Sequence, residues 1–414
     1  MTLLTAPRTA AFHVYGEPRL LAGASGDAPV DLRFHRELHG ELPLRRRSWL
    51  SAALLEVNLR GRGGADFPVA VKFDAMPSGS RISVLVNGSE GEPASRKDRV
   101  LMSNAPHLVL DGAMVIAHSL DTLLITIVIH DAAAHEAMVI ALRERRDPFD
   151  VTITRSRQGF VGGEIRAVIN KVNGARPIPG SRRVLPVASG IANQPTFASN
   201  VETFAHVALL ASRGTADFAR VGSAEEPGTT LVTLIGDVRR PGVAEVPTGV
   251  PLSAFFDAAK SGPTLIGGYH GTWVESTDGL VLTRSQLKKN GAPLNAGVIA
   301  SPFAGTCPVG EIVAVSRWLA GETIGQCGPC LFGLPAIADD LARIAAGGGP
   351  EALQNLTRHL DIVAGRGACA HPDGSVQFVR SALHVFDRHI TDHAHRGTCG
   401  QNPSTVLPVP RRKR

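Results

Sequence analysis

The chain reads as an α/β protein: a parallel sheet with helices on its faces, then a smaller β-rich unit, then a C-terminal helical bundle. Three observations predict this. Apolar β-branched runs alternate with helix-period segments between Ile82 and Thr154, the pattern of a parallel sheet. Two hydrophobic runs flank Arg240-Pro241-Gly242, as in a hairpin with a Pro-Gly turn. Beyond Cys307 the spacing of apolar residues is helical, with Gly and Pro between the segments.

Taken in order, the first fifty or so residues are irregular, with short helical pieces within Leu38 to Leu55. Ile82 to Val86 is a strand, Pro106 to Ser119 a helix, Leu123 to Ile129 a buried strand, Ala132 to Arg145 a helix and Val151 to Thr154 a strand. Residues 1–224 form the first domain on this reading, and 225–301 the β-rich one, with a short helix from Leu252 to Ala259. Tyr269 and Trp273 are expected to pack inside that small domain. Residues 302–396 are helical: Val309 to Ala320, Pro335 to Ala346, Pro350 to Ala364 and Val376 to Asp392. Residues 397–414 read as a disordered basic tail ending in Arg411-Arg412-Lys413-Arg414.

At 414 residues and 43% hydrophobic, the chain can fill two or three cores, mainly with aliphatic side chains because aromatics are only 5%. The net charge of +6 is scattered, which reads either as a mildly basic protein or as attraction to an acidic partner or anionic cofactor, with nucleic-acid binding by the basic end the weaker reading. No segment has the pattern of an export signal, and no apolar run reaches membrane-spanning length. Five cysteines do not make a disulfide framework. The expected compartment is the cytoplasm, without direct membrane insertion.

Two glycine-and-charge segments carry the chemistry. They are Leu59-Arg60-Gly61-Arg62-Gly63-Gly64-Ala65-Asp66-Phe67-Pro68 and Asn87-Gly88-Ser89-Glu90-Gly91-Glu92-Pro93. Glycines bring several amide N–H groups close to an anion, and a polar turn after a strand is where open α/β sheets bind ligands. Together they predict a phosphorylated cofactor. Cys327-Gly328-Pro329-Cys330, with Cys369 far downstream, has the spacing of a metal loop. From the residues alone it is a structural zinc, an iron–sulfur site, a redox dithiol or three unconnected buried cysteines. Cys307 reads as core, His371 as a solvated or capping residue, and His393 and His395 as surface residues.

These segments resemble a known family. Arg60 to Lys72 is similar to RGRGGAGFPTGLK, Asn87 to Arg99 to NADEGEPGTFKDR, Gly159 to Glu164 to GAYICGEE, Gln194 to Thr203 to PTVVNNVET, and Cys327 to Cys330 to GxCTPC. In that order the motifs resemble the FMN-binding, NADH-oxidising subunit of bacterial respiratory complex I, a family shared with diaphorase subunits of NAD-linked hydrogenases. The resemblance implies a Rossmann-like FMN-binding domain, a β-grasp domain of the soluble-ligand-binding kind, and a helical iron–sulfur domain. It implies an NADH dehydrogenase or diaphorase: hydride passes from NADH, or another reduced carrier, to FMN. Single electrons then pass to an iron–sulfur centre and a ferredoxin-like or thioredoxin-like partner subunit.

Carried over, Arg62, Gly63, Gly64 and Lys72 would cradle FMN, Asn87 would bond the flavin and Asn200 its ribityl-phosphate end. Phe67 would stack on adenine, and Glu92 would help bind the dinucleotide. Glu90, Gly163 and Glu164 belong to the same cofactor-binding set. In the family the cluster is of the 4Fe-4S type; here Cys327, Cys330 and Cys369 would hold a three-iron cluster, or four irons with a water or remote ligand. The chain departs from the family at Asp66, Ser89, Phe160, Ile165, Ser199 and above all Ile324, which stands where the first cluster cysteine should be. The alternative reading is a degenerate, non-catalytic relative acting as a binding or assembly component.

Overall fold

The computed structural model describes residues 11–77, 81–156, 159–180, 184–257 and 262–410. The N-terminal segment supplies β1 (Phe12–Val14) and three helices, α1 (Leu32–His39), α2 (Arg47–Glu56) and α3 (Val69–Asp74). The first sheet then forms from β2 (Ser83–Gly88), β3 (Leu124–Ile129), β4 (Asp150–Arg155) and β5 (Thr196–Asn200), with α4 (Lys97–Asn104), α5 (Pro106–Ser119), α6 (Ala132–Glu144) and α7 (Ile165–Val172) between strands. All its neighbours are parallel, in the order β4-β3-β2-β5. β2 is buried along its whole length, as a central strand covered on both faces requires. Pro106 opens α5, where its missing N–H costs nothing.

After β5 comes α8 (Val201–Phe218), interrupted at Gly214. α5 and α8 touch backbone to backbone: a methyl group on Gly112 would lie 1.8 Å from the Phe204 carbonyl oxygen. Only glycine allows that approach.

The second sheet has six strands. β6 (Thr229–Gly236) and β7 (Gly242–Pro247) form the expected hairpin; β8 (Thr264–Ile266), β9 (Thr272–Val274), α9 (Arg284–Lys289) and β10 (Val298–Ser301) follow. The order is β1-β7-β6-β10-β8-β9. β1 therefore belongs to this sheet, parallel to β7, although sequence placed it with the first domain. It covers what would be an open strand edge. The helix expected from Leu252 is a 3₁₀ turn, Leu252–Phe255, and the remainder of that stretch from residue 258 lies outside the described residues.

The bundle comprises β11 (Thr306–Cys307), α10 (Val309–Gly321), α11 (Leu334–Ala345), α12 (Gly349–Val363), α13 (His371–Val385), α14 (Asp387–Arg396) and β12 (Asn402–Pro403). The single helix expected over Val376 to Asp392 breaks at Phe386, whose ring packs edge-on against Trp273 at 4.9 Å. Trp273 and Tyr269 thus face the helices rather than the interior of the small sheet. The tail is also corrected. β12 pairs with β11, Leu407 is buried, and the Tyr269 hydroxyl donates to the Pro408 carbonyl at 2.8 Å. Arg411 to Arg414 lie outside the described residues. Among the described residues no single helix is long and apolar enough to cross a membrane.

The glycine loop is tied to the second sheet through a buried ion pair. The Arg62 guanidinium, fully buried, pairs with Glu226, which also accepts from the Arg284 backbone N–H at 2.7 Å. Removing this carboxylate would strand two buried guanidinium groups, Arg62 and Arg284. Glu226→Ala is expected to destabilise the fold by about 3–5 kcal/mol, measured as a lower urea midpoint; an unchanged midpoint would refute the role.

Candidate functional site

β3 and β4 extend the first sheet to one side of β2, while β5 lies on the other. The strand order therefore reverses between β2 and β5, and a crevice opens beyond their C-terminal ends. Asn87 near the end of β2 is paired in register with Asn200 at the end of β5. Asn200 caps α8, its side chain accepting from Glu202 N, so the positive end of a long helix faces the same place. A cavity of about 680 Å³ fills this crevice.

Arg62, Gly63, Gly64, Phe67, Lys72, Asn87, Glu90, Glu92, Gly163, Glu164 and Asn200 all line that cavity. Their individual contacts refine the sequence expectations. The Arg62 side chain is committed to Glu226, leaving only its loop to shape the cavity. Asn87 donates to Gly163 O at 2.8 Å and accepts from Ser89 N at 3.0 Å, so it braces the wall. Glu90 accepts from Ser95 Oγ and Asp98 N, satisfying a free N–H at the start of α4. Glu164 caps α7. Phe67 stands half-exposed at the rim.

Two glycines allow the walls to meet. A methyl group on Gly163 would lie 2.6 Å from Ser89 O, and one on Gly91 would lie 2.6 Å from Phe160 O. Asp66, whose carboxylate sequence placed near the incoming phosphates, is turned onto Arg60 at 3.0 Å. Its charge is neutralised there.

Burial lowers the Lys72 ammonium to about 8, with Nζ donating to Ala198 O at 2.9 Å. Lys97 is buried between Asp98 at 2.6 Å and Glu202 at 2.8 Å. Burial alone would lower its pKa, but these two carboxylates outweigh it and keep the ammonium charged. Burial pushes Glu92 up to about 7 despite backbone hydrogen bonds from Tyr269 and Ala94. One oxygen of that carboxyl accepts from Tyr269 N in the loop after β8 and the other from Ala94 N in its own loop.

Sequence reasoning gave Lys97 no role and missed His270, Asn295 and Asp373, which also line the cavity. They arrive from the second sheet and from α13, far along the chain. The usable signal was the doublet Gly267-Gly268, whose φ values of +97° and +88° mark a loop built for close approach.

The cysteine loop lies next to this cavity. Ala370, the residue after Cys369, lines it. Cys330 and Cys369 are buried and Cys327 half-buried. Burial, then the nearby Cys327 and Cys369, pushes the Cys330 thiol to about 12. Among the described residues the ligand atoms of the three cysteines do not all lie within 4.8 Å of one another. Ile324 adds no fourth thiol to this group. His371 is neither solvated nor free to ligate: it is buried, with Nε2 on Leu319 O at 2.9 Å and Nδ1 on His270 at 3.0 Å.

Comparison with known proteins agrees with this arrangement. Residues 54–209 match the Nuo51 FMN-binding domain, and residues 312–393 match the NADH-ubiquinone oxidoreductase-F iron–sulfur binding region. An NADH-quinone oxidoreductase subunit of Rhizobium meliloti is 29% identical over 371 residues, covering 83% of this chain and 88% of the relative. The mitochondrial NADH dehydrogenase [ubiquinone] flavoprotein 1 of Dictyostelium discoideum is 27% identical, covering 84% and 79%. A crystal structure of an NAD+-reducing [NiFe]-hydrogenase in its H2-reduced state superposes with a TM-score of 0.78 at 25% identity, covering 94% of this chain and 68% of that one.

Proposed function

The chain belongs to the family of FMN-binding NADH dehydrogenase flavoprotein subunits, and from that premise we propose that NADH is oxidised at the cavity beyond β2 and β5. The electrons leave through the Cys327, Cys330 and Cys369 loop to a partner subunit. The observation that carries this reading is the convergence of eleven cofactor-binding candidates on one cavity, with the cysteine loop reaching it through Ala370.

FMN, when bound, supplies the exchange between a two-electron hydride and single electrons. Gly63, Gly64, Lys72 and Asn200 would hold it, aided by the positive end of α8. Asn87 and Gly163 set the wall that orients the ring. Phe67 at the rim offers an apolar face to the dinucleotide, and Asp66, neutralised by Arg60, no longer repels its phosphates. An iron–sulfur cluster on three cysteines would accept electrons singly. Leu331 and Phe332 are exposed beside it, 44% and 76%, and present an apolar surface to a ferredoxin-like or thioredoxin-like partner subunit.

Anaerobic reconstitution with FMN and iron, followed by NADH titration, tests the reading. Yellow protein that bleaches with NADH supports it, whereas protein that takes up no FMN overturns it and leaves a non-catalytic binding component.

Lys72 adds a pH dependence. A dianionic phosphate favours the ammonium form, so FMN binding is strongest below the free lysine value of about 8. Above it affinity should fall by up to about tenfold per pH unit, and Lys72→Met should bind more weakly with a flat profile. Flavin fluorescence quenching across this range reads both.

Ile324→Cys restores the absent thiol. Reconstituted protein is expected to rise from about three to about four irons per chain, with a matching change in the low-temperature EPR signal. Iron content indifferent to this substitution would place the cluster elsewhere.

A further inference from the structure

A second group of cysteine and histidine side chains lies away from the cavity, where the end of the chain meets the bundle. Cys307 of β11, His393 of α14 and Cys399 beyond it bring one ligand atom each to within 4.8 Å of one another. His393 Nε2 is 3.4 Å from Cys307 Sγ, and His389 Nδ1 is 3.3 Å from Cys399 Sγ. His393 was expected at the surface and Cys307 in ordinary core; the fold brings them together instead.

We propose that Cys307, Cys399, His393 and His389 bind a single structural zinc ion. Two thiolates and two imidazoles are a set that zinc takes tetrahedrally. His389 and His393 are four residues apart on one helix, hence on one face, the His-x3-His spacing of zinc modules. Bonds of about 2.0–2.3 Å place tetrahedral ligand atoms roughly 3.3–3.8 Å apart. Cys307, His393 and Cys399 are therefore within about 1 Å of closed geometry, and His389, which touches Cys399 at 3.3 Å, is brought in as the fourth ligand by side-chain rotation.

A second observation points the same way. His393 Nδ1 lies 3.1 Å from Ala345 O. A carbonyl only accepts, so Nδ1 carries the proton and Nε2 turns its lone pair toward Cys307. Ligating histidines are oriented in this manner by a backbone carbonyl. Binding replaces the two thiol protons, which leave to solvent, with the metal; nothing is oxidised or reduced.

The ion would fasten the chain's last segment. β12 pairs with β11 beside Cys307, Ser404 N donates to Cys307 O at 2.8 Å, and Leu407 N donates to Glu311 at 2.6 Å. Pro408, Val409 and Pro410 then wall a second cavity of about 560 Å³ that shares Glu90 to Glu92 and Phe160 with the first. Zinc at Cys307 thus holds a strap that shapes one side of the site.

Full-length protein produced with zinc and purified without chelator is the test, with metal content measured by mass spectrometry. About one zinc per chain is expected, falling at least tenfold in Cys399→Ser and His393→Gln but retained in Cys327→Ser. Cobalt titration of reduced, metal-free protein should give a thiolate charge-transfer band in wild type and Cys327→Ser, lost in Cys399→Ser. Carboxypeptidase should release the last segment faster once zinc is removed. Three outcomes overturn the proposal: zinc indifferent to Cys399 and His393, no cobalt band in folded wild type, or a Cys307–Cys399 disulfide in anaerobically prepared protein.

Discussion

Glu202 is the constraint on which the cavity depends. It is fully buried at the start of α8 and its oxygens reach two further elements: Lys97 of α4 at 2.8 Å, and Thr230 Oγ1 and Leu231 N of β6, each at 3.0 Å. Burial opposes its charge, but Lys97 and neighbouring groups hold it ionised, well below the usual carboxylate range. Asp98 continues the network, accepting from Asn200 Nδ2 at 2.5 Å. Taking such charges out of water is costly unless each is paired. The sequence meets that condition only when α4, α8 and β6 are all in place. The cavity floor and the second sheet are therefore set by one interaction.

The regular parts of the fold were legible because they are periodic. The strands and the helices α5 and α6 between Ser83 and Arg155 lie within a residue or two of the pattern, which passed over α4, and the Pro-Gly hairpin lies where its turn predicts. What escaped was non-local. β1 is too short to announce itself and exists because β7 offers an edge. The break at Phe386 comes from packing against Trp273, more than a hundred residues earlier, so helical spacing read straight through it. The tail looks like a polar, proline-rich end, yet it is held by β11 and Tyr269.

The candidate site divides similarly. Motif glycines and Asn200 could be found from spacing and resemblance, and they share one cavity. The hydrogen bonds of Asn87 to Gly163 O and of Glu92 to Tyr269 N could not, because those backbone groups are brought up by tertiary structure. Asp66 is instructive. A carboxylate in that loop looks unfavourable for an anionic ligand, but Arg60, six residues away, folds onto it. Asp66 itself adopts φ +48°, a conformation Asp tolerates better than most residues. The departure is compensated inside the loop. Ile165 has no such compensation: it opens α7 and lines the cavity as an apolar side chain.

The start of α13 joins the cysteine loop to the cavity. Cys369, Ala370 and His371 are consecutive: the first belongs to the cysteine loop, the second lines the cavity, and the third bonds His270, another cavity residue. Phe160 packs edge-on against His270 at 4.4 Å and against Trp318 at 5.4 Å, filling the space between. Burial, reinforced by His371, holds His270 neutral, its pKa well below the ordinary histidine value. The partition is thus aromatic and closely packed. A displacement at the cysteine loop must move this helix start as a unit, and with it one wall of the cavity. On the proposed function, the cysteine loop and the flavin cavity share this helix start, so the absence of a fourth cysteine at Ile324 bears on both.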